Sequence, residues 1–127
     1  MLAVHGCRVR LLGRQDAAPR AAFRWVVEAT GSAEGLRQAI EMTQPRGTVI
    51  LKSTMHGAVP IDTAPVVVNE ITLVGSRCGR FEPALDLLRR GQVRVADLIS
   101  ARYPLAEAPR AFRKAAGRGA LKVLLVP

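Results

Sequence analysis

Aromatic side chains are scarce in this 127-residue chain: one Trp, one Tyr and three Phe, 4% of the total. Hydrophobic residues nevertheless reach 49%, so any core must be aliphatic. That suits strands sandwiched by helices and excludes an aromatic-rich β-sandwich. It also leaves few platforms on which single-stranded nucleic acid could stack. Acidic residues are few, 10 against 19 basic, for a formal net charge of +9. Sixteen of the basic residues are Arg, and they are scattered. Arg89 and Arg90 are adjacent, but no block of five or six like charges occurs. A nucleic-acid footprint needs a patch or stripe. The charge therefore reads as dispersed, solvated surface and argues against a nucleic-acid partner. Cysteine is limited to Cys7 and Cys78. With no CxxC spacing, a zinc knuckle is excluded, and two distant cysteines make no disulfide framework. No run approaches 18 apolar residues, which excludes a membrane-spanning helix. The N-terminal stretch MLAVHGCRVRLLGR has no long apolar core and no small-residue cleavage pattern. The simplest placement is cytoplasmic.

The local patterns alternate between strand and helix. Arg8–Leu12 alternates and predicts a strand. Residues 13–23 hold Gly, Pro and many Ala and predict a loop or a short helix. Trp25–Ala29 is the next strand. Ser32 is a helix N-cap, and Leu36, Ala39, Ile40 and Thr43 follow on one helical face. Pro45-Arg46-Gly47 stops that helix. Thr48–Lys52 is a strand with a nearly continuous apolar core, the pattern of a strand covered on both faces. Residues 53–65 are a polar excursion, and Val66–Val68 is a short strand or a helical turn. Ile71–Gly75 is a strand. Pro83 opens a helix that Gly91 closes, with Leu85 and Leu88 as its buried side. Residues 97–103 are extended. Leu105, Ala108, Phe112 and Ala115 line a last helix, with Arg110, Arg113 and Lys114 opposite. Lys122–Val126 is a closing strand. The fold class is α/β: a mostly parallel sheet flanked by helices.

In such sheets ligands bind beyond the carboxyl ends of the strands. Those ends are Gly13-Arg14, Thr30-Gly31-Ser32, Ser53-Thr54 and Gly75-Ser76-Arg77-Cys78, all small or polar. The stretch EITLVGSRCG at 70–79 leaves three readings open. Cys78 could be a nucleophile activated by Arg77, though no His or Asp is close in sequence. The loop could let a ligand approach backbone. It could also be only a turn. His56 reads as a surface-loop residue, Glu28 as structural, pairing with backbone or an Arg, and Trp25 as core or edge packing.

Five segments in order, VVEATGS at 26–32, PRGTVILKST at 45–54, EITLVGSRCG at 70–79, LISARYPLAEAPRAF at 98–112 and LKVLLVP at 121–127, resemble the medium-chain dehydrogenase/reductase family, the zinc-dependent alcohol dehydrogenase type. The resemblance implies an incomplete Rossmann-like portion at 1–92. It also implies a strand-helix-strand from the end of the catalytic domain at 93–127. It places Ala29, Thr30 and Gly31 along the nicotinamide half of NAD(P), with Leu51, Lys52 and Ser53, and Ser76, Arg77 and Cys78, presenting backbone to it. On this reading EITLVGSRCG is a cofactor-side loop, with Gly75 and Gly79 turning the chain. Lys122 takes the place of a basic residue that reaches the pyrophosphate. Residues 1–14 resemble a Rossmann helix end running into the second strand. Gly13 and Arg14 then stand where NAD-preferring relatives carry an acidic residue, which points to NADP over NAD.

The departures carry their own expectations. No G-x-G-x-x-G occurs in the chain. His5, His56, Cys7 and Cys78 do not reproduce the family's zinc ligands, so zinc, present in intact relatives, has none here. Residues 13–23 are too short for the helix and strand that relatives carry between Gly13 and the EATG strand. Strand 8–12 is then expected to slide beside strand 24–29. Apolar surface in 93–127 is expected to be orphaned, favouring an oligomer or a polypeptide that supplies the missing catalytic parts. The resemblance implies a fragment of an NAD(P)-dependent oxidoreductase transferring hydride between an alcohol and NAD(P)+, inactive alone and without catalytic residues of its own. The alternative is a degenerate, non-enzymatic relative acting as an interaction or vestigial protein.

Overall fold

A computed structural model describes residues 2–13 and 16–127. The chain divides into two compact units: Arg8–Gly79, and Arg80–Pro127 with the N-terminal residues up to Cys7.

The first unit is built on three strands: β1 (Phe23–Glu28), β2 (Thr43–Leu51) and β3 (Thr72–Gly75). All pair in parallel, in the order β1-β2-β3. Between β1 and β2 runs α1 (Ala33–Met42). Its start follows from Ser32, whose Oγ accepts the Gly35 N–H at 3.0 Å and satisfies one of the orphan donors of the first turn. Its end follows from Thr43, whose hydroxyl donates to the Ala39 carbonyl at 2.7 Å as the backbone turns extended. Leu36, Ala39, Ile40 and Thr43 are all buried, as the 3.6-residue period predicts. Leu36, Ala39 and Ile40 pack with Val26, Val49 and Ile71 into one aliphatic core, in which Val49 is fully buried. Each Val, Leu or Ile among them contributes about 1.5–3 kcal/mol. The ambiguous Val66–Val68 segment is helical, within α2 (Ala64–Val68).

Two expectations for this unit are corrected. Residues 8–12 form no strand; Val9 and Leu11 stand exposed, Leu11 at 92%. Alternation alone does not make a strand without a ladder to join, and the short connection to β1 does not place one beside it. β1 is therefore an edge. Nor is β2 covered on both faces. Successive residues point to opposite sides, and the register aligns Val27, Ile50 and Val74 in one row across the sheet. Val26, Val49 and Leu73, on the other side, join the core. Val27 and Val74 are exposed, as is Trp25 at 63%, so this face is bare.

The second unit holds α3 (Phe81–Arg89), β4 (Ile99–Pro104), α4 (Ala108–Ala115) and β5 (Lys122–Val126). β4 and β5 pair in parallel, and α4 packs on both. Pro83 sits in the first turn of α3 and Pro109 in that of α4, where a missing N–H costs little. The inward stripe of each helix lies one residue earlier than the pattern predicts. In α3, Ala84 and Leu87 are partly covered while Leu85 and Leu88 stay over two-fifths exposed. In α4 the buried residue is Ala111; Phe112 is 70% exposed and Leu105 is also exposed. For α4 the β4–β5 pair offers a narrow surface, and the small Ala111 lets the helix settle closest to it while Phe112 is left outside. The expectation of orphaned apolar surface in this segment therefore holds within the unit, at Val95, Leu98, Leu105, Phe112 and Leu121.

Candidate functional site

The parallel register brings three strand ends to one edge. Glu28 pairs with Leu51, and Leu51 with Gly75. Adjacent strands lie about 4.8 Å apart, so the loops beginning at Ala29, Lys52 and Ser76 leave the sheet side by side. Nine of the sequence-predicted residues fall here: Ala29, Thr30, Gly31, Leu51, Lys52, Ser53, Ser76, Arg77 and Cys78.

These loops are laced together. The Lys52 N–H donates to the Glu28 carbonyl at 2.9 Å, and the Ser76 N–H to the Leu51 carbonyl at 3.0 Å. The Gly31 N–H donates to Ser53 Oγ at 2.9 Å, tying the first loop to the second. Lys52 Nζ donates to the Ser76 and Arg77 carbonyls, tying the second to the third. Gly31 takes φ +70°, a left-handed turn that suits glycine. Gly75 and Gly79 do not; neither has a positive φ, and a Cβ at either would meet nothing within 4 Å. The chain does not turn on them as the resemblance implied. They leave open space over the backbone. Cys78 is a free, exposed thiol.

Beneath the first loop lies Glu28, only 2% exposed. Its Oε1 accepts the Thr30 N–H at 2.6 Å, the Thr30 hydroxyl at 2.7 Å and the Gly31 N–H at 3.2 Å. Its Oε2 is buried and has no partner among the described residues. Burial pushes the carboxyl pKa up, but hydrogen bonds from Thr30, Ser53 and the Gly31 backbone outweigh it, and the net shift is downward. Among the described residues Glu28 therefore pairs with backbone and hydroxyls, and with no Arg. Thr30 leans on α1 at Gly35, where an added Cβ would lie 1.8 Å from Thr30 Oγ1. Sequence reading missed Gly35. The available signal was a glycine three residues past a Ser cap, where helix propensity favours almost anything else.

Three predicted residues remain: Gly13, Arg14 and Lys122. Gly13 ends no strand; its N–H donates to Asp16 Oδ2 at 2.6 Å in a small loop. Arg14 lies outside the described residues. Lys122 opens β5 and belongs to the second unit. A shallow concavity of about 260 Å³ runs between α1 and residues 60–65, and none of the strand-end residues lines it. Among the described residues no group of three His, Cys, Asp or Glu side chains could hold a metal ion. The described residues do not fit a zinc site. No helix among them is long and apolar enough to cross a membrane.

Residues 15–90 match the family model described as zinc-binding dehydrogenase. The chain belongs to that family. Its similarity to a sorbitol dehydrogenase of Halalkalibacterium halodurans is 27% identity over 106 residues, 80% of this chain and 31% of the relative. A D-arabinitol dehydrogenase of Uromyces fabae is 29% identical over 83% of this chain and 31% of its own length. In structure, L-idonate 5-dehydrogenase of Escherichia coli superposes with a TM-score of 0.80 at 27% identity, covering 90% of this chain and 35% of that one. A zinc-binding dehydrogenase of Sinorhizobium meliloti, bound to NADP, gives 0.74 at 28% identity, covering 92% and 35%. The chain thus spans about a third of the length of the zinc-binding dehydrogenases it matches.

Proposed function

We propose that this zinc-binding dehydrogenase chain forms the nicotinamide-side wall of an NAD(P) site in an alcohol or polyol dehydrogenase. The observation that carries the reading is the single row Glu28, Leu51, Gly75, from which three laced loops emerge at the carboxyl edge of a parallel sheet. Ala29, Thr30 and Gly31, with Leu51, Lys52 and Ser53 and with Ser76, Arg77 and Cys78, would hold the nicotinamide half. Gly13, Arg14 and Lys122 are proposed for the phosphate-bearing half, with Arg14 favouring NADP. The bound cofactor would accept or deliver hydride. The chain's own residues would orient the ring, exclude water and keep the loops from yielding. Supporting the cofactor assignment are the NADP bound by the Sinorhizobium relative and the open space over Gly75 and Gly79. The chain alone is proposed to be inactive, with chemistry awaiting a polypeptide that brings a metal site.

A second reading rests on the exposed apolar set around Phe112. It makes the chain an interaction protein without catalysis, binding a partner or another copy of itself.

Fluorescence titration with NADPH and NADH, in parallel with thiol labelling, tests the first reading. Saturable binding that is tighter for NADPH, weakened by Ser76→Trp, and accompanied by protection of Cys78 but not Cys7, is the expected result. A folded chain that binds neither cofactor at millimolar concentration overturns it and leaves the interaction reading.

A further inference from the structure

Glu28 occupies a position that packing alone would fill with an aliphatic side chain. It lies on the same side of β1 as Val26, at the end of a buried row. Burying a carboxylate there without a cationic partner is costly unless its hydrogen bonds repay it. All three hydrogen bonds to its Oε1 come from one feature, the Thr30–Gly31 turn. That turn in turn holds Ser53, in the loop after β2. Gly35 supplies the notch in α1 into which the Thr30 side chain fits.

We propose that Glu28 is a positioning residue for the cofactor wall. Its Oε1, with the Gly35 notch, fixes the height of the 29–31 loop against the 52–53 loop, so the wall is formed before cofactor arrives. The carboxylate touches no cofactor itself; it acts through Thr30 and Gly31. This inference rests on the nicotinamide-wall reading for its functional half and on geometry alone for the clamp.

The test uses the full chain and two readouts: amide hydrogen exchange at Thr30 and Gly31, and NADPH affinity. Glu28→Gln should release both amides by at least about tenfold and weaken NADPH about tenfold. Gly35→Ala, which reaches the same loop from the other side, should weaken NADPH to a similar degree, and the double variant by little more than either. Ile71→Ala, a core change just before the amino end of β3 and so at the opposite end of the sheet from the loops, should lower thermal stability yet leave NADPH affinity within about twofold, separating positioning from loss of stability. Unchanged amide protection in Glu28→Gln overturns the clamp. Released amides with unchanged NADPH affinity overturn its role in the wall. A wild-type chain that binds no NADPH overturns the nicotinamide reading and that role with it, while the amides still decide the clamp.

Discussion

Replacing Gly35 by Ala should destabilise this protein, against the ordinary trend for a helix. Alanine at an exposed helical glycine normally gains up to about 1 kcal/mol. Here the new Cβ would lie 1.8 Å from Thr30 Oγ1 and 2.7 Å from both Thr30 Cβ and Cγ2. No rotamer of Thr30 clears all three, so the loop backbone must retreat. Retreat breaks the Thr30 hydroxyl bond to the Glu28 carboxylate, a charge-assisted bond of about 1.5–3 kcal/mol. It also disturbs the contact between the Thr30 and Ser32 hydroxyls. The net is a loss of about 1–2 kcal/mol, or roughly 4 °C in Tm per kcal/mol for a chain of this size. Urea or thermal unfolding followed by circular dichroism measures it. The decisive comparison is the same change in a Thr30→Gly background, where the obstructing side chain is gone. There Gly35→Ala should stabilise, by up to about 1 kcal/mol. An inversion of sign between backgrounds is the expected result. Stabilisation by Gly35→Ala in the wild-type background would refute the notch.

Three further outcomes follow from the geometry. The Glu28 pKa is lowered in the fold, so its stabilisation is complete above the ordinary carboxylate range and is lost as pH falls through the folded value. Tm should therefore drop between roughly pH 5 and 3 more steeply in wild type than in Glu28→Gln; the exposed Glu34, lowered chiefly by Arg37, is common to both and cancels. Trp25, the single Trp, should emit like solvated indole and be fully quenched by acrylamide, and a blue-shifted, protected emission would contradict the bare sheet face. Lys52→Met should leave the unfolding free energy within about 1 kcal/mol of wild type, since the ammonium is exposed, while speeding amide exchange across residues 76–78. Unchanged exchange there would mean that Lys52 does not hold the third loop.

What could be read from the sequence divides along physical lines. The Ser32 cap and the Leu36, Ala39, Ile40, Thr43 stripe were legible because capping and helical period are local properties. The family and the nine strand-end residues were legible because strand order and short polar strand ends carry information on the backbone path. Residues 8–12 misled because alternation is equally local, but a strand exists only through its neighbour. The stripe of α4 misled because the pattern marks where apolar residues are, while close packing on a narrow pair of strands favours the small Ala111 over Phe112; that of α3 was misplaced by one residue. The Glu28 clamp was visible only as a structural carboxylate. Its partners lie two and three residues on, and no spacing rule announces a hydroxyl folded back over a helical glycine.

The row Val27, Ile50, Val74, with Trp25 beside it, ties stability to whatever is offered to cover it. Anything that covers this face engages the folded chain and not the unfolded one, and so raises apparent stability by mass action, about 2.7 kcal/mol when present at a hundred times its Kd. If a second copy covers this face, the melting temperature should rise with protein concentration, and a series of melts across dilution measures it.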